Sequence, residues 1–330
     1  MIFEDRAPHL ALGCVLAHSV PLAAGRLRKG TVISEADIDA LSQAGIGAVS
    51  VAVLGDLDVP EDRAATALAD AILPENGRGL RKSVASTGRV NLIATGAGVA
   101  MLDVAAIEAV NLVHPMITIA TVPPHHQMSQ GGLVATIKII SYGVPVDALA
   151  RACAAATGAI TLAEPVIATA DLIVTTSPNG AGLKGVDAIE SRLAALGVSL
   201  NNTYQIPHDC GALSEALSLV QSDMALILTA SATSDIDDVA PRALRQAGGQ
   251  VTRFGMPVDP GNLLFLGVLN ERIVIGLPGC ARSVALNGAD WVMSRVICGI
   301  NVTGQDIALM GVGGLLKEIP TRPHPRRSRE

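Results

Sequence analysis

Three aspartates follow a loop of small residues in the second half of the chain, and their spacing suggests two kinds of chemistry. Residues 229–234 read TASATS, and Asp235, Asp237 and Asp238 come after them. Carboxylate oxygens are ligands for a hard cation such as Mg²⁺, which supports phosphoryl transfer and hydrolysis. An acidic residue at a helix start also accepts hydrogen bonds from the backbone N–H groups there. The pattern alone leaves both interpretations open, a metal site and a helix cap.

The elements on either side of this loop position it for an anionic ligand. The apolar run MALIL at 224–228 is short enough for a buried strand. Pro241 is tolerated in a first helical turn, and the glycine pair at 248–249 is a plausible helix stop. A strand, a polar loop and a helix are therefore predicted in that order. Because unpaired N–H groups and the positive end of the helix dipole face such a loop, this arrangement commonly binds phosphate.

The same order of elements occurs earlier in the chain. A strand is predicted at 171–175, followed by a glycine-rich loop at 176–185 that includes Lys184. Apolar residues then recur at spacings of three and four between 186 and 196, which predicts one apolar helix face. Alternating strands and helices favour a three-layer α/β/α fold with a mostly parallel sheet. Ligands of such sheets bind beyond the carboxyl ends of the strands, where both loops are expected.

Three motifs in this half of the chain resemble those of the molybdopterin-binding family, which is shared by molybdopterin adenylyltransferases and molybdopterin molybdotransferases. DDVAP at 237–241 is similar to the family's Arg-Asp-Val-Thr-Pro sequence, and DPGN at 259–262 is similar to its Lys-Pro-Gly-Lys turn. GLPG at 276–279 matches the start of its Gly-Leu-Pro-Gly-Asn-Pro turn. The motifs stand in the family's order and spacing. The resemblance implies the family's α/β/α fold and a pterin ligand, molybdopterin or its adenylylated form.

The resemblance also implies roles for individual residues. Asp238 takes the place of the family's catalytic aspartate, and Asp209 matches an aspartate that follows the corresponding strand in molybdotransferases. Asp235 and Asp237 are the implied ligands of a Mg²⁺ ion. The remaining positions, which align with the ligand-binding loops, are Thr176, Ser177, Asn179, Lys184, Ala230, Ser231, Thr233, Asp259, Gly261, Pro278, Gly279 and Ser283.

Two loops depart from the family's sequences. The active enzymes have Thr-Gly-Asp-Glu-Leu in the first loop, whereas residues 176–180 read TSPNG and contain no carboxylate. Ala230 and Ser231 replace the glycine pair of the phosphate loop, and their β-carbons restrict close backbone approach. The implied activity is molybdate insertion during molybdenum cofactor biosynthesis. The alternatives are a non-catalytic cofactor carrier that works with a nucleotidyltransferase, and a nucleotide-derivative hydrolase like those of the competence-damage family.

Composition argues against other classes of function. The net charge of −6 argues against a nucleic-acid-binding surface. Five scattered cysteines without a close CxxC pair indicate small core residues in a reducing compartment. The N-terminus has no basic segment before an apolar core, and no apolar run is long and uncharged enough to cross a bilayer. We therefore expect a cytoplasmic, soluble protein with neither membrane nor nucleic-acid partners.

Breaks in the pattern divide the chain into four predicted segments. A small β/α unit is expected at 1–75, with Ser34 as a helix N-cap and Asp37 in the capping-box position. The breaker cluster PENGRG at 74–79 leads into a middle α+β domain at 76–165. The molybdopterin-binding domain is expected at 166–310, and a flexible basic tail at 311–330.

We predict that the protein is a homodimer. The chain is 49% apolar but only 2% aromatic, and its first two segments are short for independent cores. Apolar surface left exposed by small domains is commonly buried between identical subunits, so residues 9–165 are expected to contribute to the interface. Light scattering at low micromolar concentration should give twice the chain's 33.7 kDa. A mass near that of one chain contradicts the prediction.

Overall fold

The computed structural model describes residues 1–23, 25–73, 77–178 and 180–316, which form two compact units. The first unit contains residues 1–96, 100–124 and 130–162. The second contains 97–99, 125–129 and the described residues between 163 and 316. The domain boundaries predicted from the sequence stay predictions. Residues 74–76 of the predicted breaker and 317–330 of the predicted tail lie outside the described residues.

Short strands and helices alternate along the chain up to residue 163. In order, these elements are β1 (Ile2–Arg6), β2 (Val15–Leu16), β3 (Val20–Leu22), β4 (Gly25–Leu27), α1 (Glu35–Gln43), β5 (Val49–Val53), β6 (Asp58–Pro60), α2 (Glu61–Ile72), β7 (Leu80–Lys82), β8 (Arg89–Ala94), β9 (Gly98–Leu102), α3 (Val104–Val113), β10 (Ile117–Thr121), β11 (Gln127–Met128), β12 (Leu133–Ile139), β13 (Gly143–Pro145), α4 (Val146–Ala156) and β14 (Ile160–Ala163).

The first strands and α1 form a small packed layer. β5 lies between β1 and β2 and is antiparallel to both. The buried core of this layer includes Leu16, Ile33 and Leu41. Ser34 Oγ accepts a hydrogen bond from the Asp37 backbone N–H, and the Asp37 carboxylate accepts one from the Ser34 backbone N–H. The capping box predicted from the sequence is therefore confirmed.

A second antiparallel sheet in the first unit has the strand order β10-β12-β8-β7. Buried and partly exposed residues alternate along β8, so one face of the sheet is apolar. Helix α2 contacts β8 and β12 and buries Ala65, Leu68 and Ile72 completely. The helix before residue 75 thus packs on strands that come after residue 76.

Beyond residue 163, longer strands alternate with helices. The elements are β15 (Thr169–Thr176), α5 (Val186–Ala194), β16 (Ser199–Pro207), α6 (Cys210–Leu219), β17 (Met224–Leu228), α7 (Val239–Gln246), β18 (Gln250–Phe254), β19 (Phe265–Leu269), β20 (Arg272–Leu277), α8 (Gly288–Ile297) and α9 (Gly304–Ala308). The predicted strand at 224–228 is confirmed at both ends.

The second unit is built on a six-stranded sheet of order β16-β15-β17-β20-β19-β18. The first four strands are parallel, whereas β19 is antiparallel to both β20 and β18. Helices α6 and α7 pack on one face through residues such as Leu213 and Leu244. Residues of the opposite face, such as Leu172 and Leu226, are also fully buried, and α8 contacts β20. The predicted α/β/α class with a mostly parallel sheet is confirmed.

Within the described parts of the chain, no helix combines the length and the apolar character that crossing a bilayer requires.

Gly276 is the point where the sheet of the second unit tolerates least extra volume. It pairs with Phe265 on β19, and a β-carbon at this position would lie 1.9 Å from Cε1 of the buried Phe265 ring. We expect Gly276→Ala to destabilise the second unit by about 1–3 kcal/mol through overpacking. Urea unfolding followed by fluorescence measures this, because the single tryptophan, Trp291, lies in α8.

The matched control for this variant is Gly279→Ala. A β-carbon on Gly279 meets no atom within 4 Å. We expect this control to change the free energy of unfolding by less than about 0.5 kcal/mol. Equal unfolding midpoints for the two variants would contradict the packing argument.

Candidate functional site

Three loops of the second unit begin at the same edge of its sheet. Strands β15, β17 and β20 are neighbours, and Leu228 pairs with Val174 on one side and with Leu277 on the other. The parallel strands therefore end together. We call this edge the carboxyl edge. The residues that follow are the first loop (177–185), the second loop (229–238) and the third loop (278–283), and each carries residues predicted to bind the ligand.

Arg282 in the third loop joins all three loops. Its Nη1 donates to the carbonyls of Gly182 (2.9 Å) and Lys184 (2.5 Å), and its Nη2 donates to the carbonyl of Thr229 (3.0 Å). Burial lowers the pKa of the Arg282 guanidinium, which nevertheless remains protonated in proteins. One half-buried cation therefore contacts the backbone of two other loops.

The first loop approaches Arg282 so closely that only glycine fits at Gly185. A β-carbon there would lie 2.5 Å from the Arg282 Cα, and the φ angle of Gly185 is +89°. Both the space and the left-handed backbone conformation exclude a side chain. Gly185 also precedes α5 without a side-chain cap. The glycine of the predicted glycine-rich loop is thus required for the contact between the first and third loops.

A hydrogen-bonded row of three side chains connects β15, the end of β16 and the second loop. Thr175 Oγ1 lies 2.9 Å from His208 Nδ1, and His208 Nε2 lies 3.0 Å from Ser231 Oγ. Thr175 is fully buried, His208 is half-buried and Ser231 is exposed. The row therefore leads from the core of the unit to its surface at the carboxyl edge.

The second loop satisfies much of its own polar backbone. The Ala230 N–H donates to Thr175 Oγ1 at 2.9 Å, so this amide is not free to bind an anion. The Thr229 hydroxyl donates to the Ser231 carbonyl at 2.7 Å and lies 3.4 Å from the Thr233 hydroxyl. The loop also presents the Ser231 hydroxyl at the surface.

The aspartates of the second loop are engaged in local structure. Asp238 caps α7, and its two carboxylate oxygens accept from the backbone N–H groups of Ser234 (2.9 Å) and Val239 (2.7 Å). Asp237 pairs with Arg245 at 2.5 Å. Asp235 accepts from the Asp237 N–H at 2.8 Å. These bonds favour the helix-cap interpretation of the cluster, while the predicted catalytic and metal-binding roles stay predictions.

Asp209 is the corresponding cap of α6. One of its carboxylate oxygens accepts from the N–H groups of Gly211 (2.9 Å) and Ala212 (3.0 Å). The bond from the Ala212 N–H is the main cause that lowers the pKa of Asp209, with further contributions from neighbouring amides and from Arg242. The carboxylate is therefore ionised at neutral pH, as either a cap or a ligand of a cation requires.

Among the described residues, no group of three or more His, Cys, Asp or Glu side chains is placed to hold a metal ion. Asp235 and Asp237 could supply two oxygens at most from this cluster. Mg²⁺ commonly takes one or two carboxylates and completes its shell with waters and substrate phosphates. The donor set thus fits a Mg²⁺ ion whose shell is completed by waters and by oxygens of a bound phosphate.

The predicted turn at 259–262 lies at the same edge. It precedes β19, whose first residue, Phe265, pairs with Gly276 near the end of β20. A β-carbon on Gly261 would lie 2.6 Å from the Gly288 backbone nitrogen, so this glycine permits close contact with the start of α8. The backbone N–H of Asp259 donates to the carbonyl of Gly314 at 2.8 Å. The turn is therefore held by backbone contacts on both sides.

Arg192 on α5 holds the segment formed by the third loop and the residues that connect it to α8. Its guanidinium donates to Asp290, which is the third residue of α8, and to the carbonyls of Ala281, Ser283 and Ala285. Ser283 is therefore positioned through its backbone. The segment contains Pro278 and Gly279, and it connects the end of β20 to α8.

The structure brings the predicted residues of all three loops and of the 259–262 turn to one edge, whereas Asn179 lies outside the described residues. Sequence reasoning missed the connecting residues Arg282, Arg192, Thr175 and His208. The sequence position offered a signal for two of them, because His208 directly follows a strand and Arg282 comes three residues after the last glycine of the GLPG motif.

Comparisons with known proteins give low similarity. Residues 9–53 match the family model described as Domain of unknown function (DUF8806). No curated protein matches the chain.

Solved structures of low similarity include the molybdopterin biosynthesis MoeA protein from Pyrococcus horikosii, with 12% identity and a TM-score of 0.31 over 92% of this chain and 76% of that chain. A molybdenum cofactor biosynthesis protein from Pyrococcus furiosus has 10% identity and a TM-score of 0.24 over 93% and 65%. The protein CinA from Thermoplasma acidophilum has 15% identity and a TM-score of 0.24 over 36% and 92%. These values carry no argument about function.

We expect Arg282→Lys to loosen the first and second loops. Lysine has one ammonium group in place of the planar guanidinium, and it cannot reproduce the hydrogen bonds to the carbonyls of Gly182, Lys184 and Thr229. With about 1 kcal/mol for each lost bond, the second unit should lose about 2 kcal/mol of stability. Amide hydrogen exchange should become faster in residues 180–186 and 229–234.

Arg242→Lys is the control for this variant, because Arg242 is exposed and the substitution keeps its charge. We expect the control to change neither exchange nor stability. Unaltered exchange in the Arg282→Lys variant would show that the guanidinium does not hold the loops.

Proposed function

We propose that the second unit binds molybdopterin, or its adenylylated form, at the carboxyl edge. The observation that supports this most strongly is the meeting of the family-like motifs at 237–241, 259–262 and 276–279 around one edge of an α/β/α sheet. Ligands of this fold class bind at such an edge. The half-buried Arg282 holds the loops in place before a ligand arrives, which lowers the entropic cost of binding.

The terminal phosphate of molybdopterin requires a cation or donors at this edge. Lys184 is exposed, and its ammonium has no ion-pair or hydrogen-bond partner among the described residues. Its backbone carbonyl is fixed by Arg282 at 2.5 Å. The backbone of Lys184 is therefore held in place while its ammonium group remains exposed. An exposed ammonium can bind a phosphate oxygen as a point charge.

We infer that binding, rather than molybdate insertion, is the main activity of this site. The carboxylates of Asp237 and Asp238 are already engaged with Arg245 and with the start of α7. The first loop lacks the two acidic residues of the active enzymes. A carrier of the cofactor that passes it to a nucleotidyltransferase or a target enzyme agrees with both observations. Molybdate insertion with Mg²⁺ held by Asp235 and Asp237 is the second candidate function.

We expect molybdopterin to bind the purified protein anaerobically with a micromolar dissociation constant, measured by titration calorimetry. Lys184→Ala should weaken binding about tenfold, because a hydrogen bond to a charged group contributes about 1.5 kcal/mol or more. Lys29→Ala removes another exposed lysine, in the first unit, and should leave the affinity unchanged. Absence of binding to the unmodified protein contradicts the proposed function.

Release of AMP from adenylylated molybdopterin in the presence of molybdate and Mg²⁺ distinguishes an enzyme from a non-catalytic carrier. If the protein is a carrier, we expect no AMP to be released. If AMP appears, Asp238→Asn identifies the role of the aspartate, because asparagine is also a good helix cap but carries no negative charge. Loss of AMP release in a folded Asp238→Asn protein would establish the catalytic role and contradict the carrier function.

A further inference from the structure

The row formed by Thr175, His208 and Ser231 has a defined direction of hydrogen bonding. Thr175 lies inside β15 and is fully buried, and its Oγ1 accepts the N–H of Ala230 at 2.9 Å. Its own hydroxyl proton needs an acceptor, because a buried donor without a partner is costly. Among the described residues, the acceptor within hydrogen-bond distance is His208 Nδ1 at 2.9 Å.

This assignment determines the tautomer of the histidine. A neutral imidazole has one donor and one acceptor nitrogen, and the hydrogen bond made by one determines the role of the other. If Nδ1 accepts from Thr175, the proton resides on Nε2. The Nε2–H then donates to Ser231 Oγ across 3.0 Å. The tautomer therefore follows from the two hydrogen-bond partners of the ring.

The direction of the row decides what Ser231 can do. A protonated Nε2 cannot remove the serine proton, so His208 does not activate Ser231 as a nucleophile. The serine oxygen already accepts a bond, and its hydroxyl proton is left to point away from the histidine. Ser231 is exposed on the second loop. Its hydroxyl is therefore a donor that faces outward at the carboxyl edge.

We propose that the Ser231 hydroxyl donates a hydrogen bond to a phosphate oxygen of the bound ligand, and that His208, held by Thr175, orients it. This inference rests on the proposed function for the identity of the ligand. Bonds that are aligned in one direction polarise one another, so the terminal hydroxyl is a stronger donor than an isolated serine. The backbone N–H of Ala230 already donates to Thr175 Oγ1, so the Ser231 hydroxyl takes its place as the donor to phosphate.

The tautomer is tested first, by long-range ¹H–¹⁵N spectra of protein labelled in its histidines. The His208 signals, assigned by their loss in His208→Gln, should show protonated Nε2 and unprotonated Nδ1 at neutral pH. This measurement needs no ligand, so its outcome is independent of the proposed function. A neutral ring protonated on Nδ1 overturns the inference, because Ser231 would then donate to the histidine.

Binding is tested with two probes, molybdopterin and inorganic phosphate, which offers the same oxygens without the pterin. Ser231→Ala should weaken the binding of both about tenfold, and Ser231→Thr, which keeps the hydroxyl, should restore most of the affinity. Ser234→Ala is the matched control, because the Ser234 hydroxyl lies in the same loop and donates only to the carbonyl of Ala232 at 3.3 Å. The control should bind like the unmodified protein.

His208 is tested as a positioning residue by two variants. His208→Gln places an amide N–H where Nε2–H stands and should retain most of the affinity for phosphate, whereas His208→Ala should lose several-fold. Phosphate binding that depends on Ser231, without any molybdopterin binding, would contradict the proposed function and support this inference. An unchanged affinity in Ser231→Ala, or no phosphate binding at all, overturns it.

Discussion

The candidate site depends on one half-buried cation. The Arg282 guanidinium is partly removed from water and is stabilised there by carbonyl oxygens of Gly182, Lys184 and Thr229. Removing a charge from water is costly unless its donors are satisfied, and backbone carbonyls can satisfy them only if both neighbouring loops keep their conformation. The cation and the loops thus require each other. The left-handed Gly185, which lies against the Arg282 Cα, is part of the same constraint.

Around this cation, most polar groups that could serve a ligand serve the fold instead. Asp209 and Asp238 cap helices, Asp237 pairs with Arg245, and the Ala230 amide donates to Thr175. Each bond makes the loops more rigid and leaves fewer free groups for chemistry. Rigid loops with few free reactive groups are better suited to holding a preformed ligand than to transforming it. Lys184 and Ser231 stand out because both project from fixed backbone into solvent.

Local sequence patterns predicted the helices and strands well, but they did not predict the contacts between distant parts of the chain. The strand at 224–228, the capping box of Ser34 and Asp37, and the placement of the acidic cluster at a helix start all depend on neighbouring residues, which periodicity and capping rules describe. The bonds of Arg282 to Gly182 join residues a hundred positions apart. Such contacts follow from the order of the strands in the sheet. Periodicity and capping rules, which describe neighbouring residues, do not reveal that order. The packing of α2 on strands beyond residue 76 escaped prediction for the same reason.

Under the proposed function, Ala230 and Ser231 require a mode of anion recognition that differs from that of a glycine loop. A glycine loop binds phosphate through backbone N–H groups, which needs open space and unrestricted φ angles. Here a β-carbon on Gly180 would lie only 3.2 Å from the Ala230 methyl, so the alanine side chain already fills part of that space. Under the proposed function, recognition then depends on side chains that extend beyond the filled loop. His208 directs the Ser231 hydroxyl outward only because Thr175 is buried and has no alternative acceptor among the described residues. The orientation of the surface hydroxyl is therefore set within the core of the sheet.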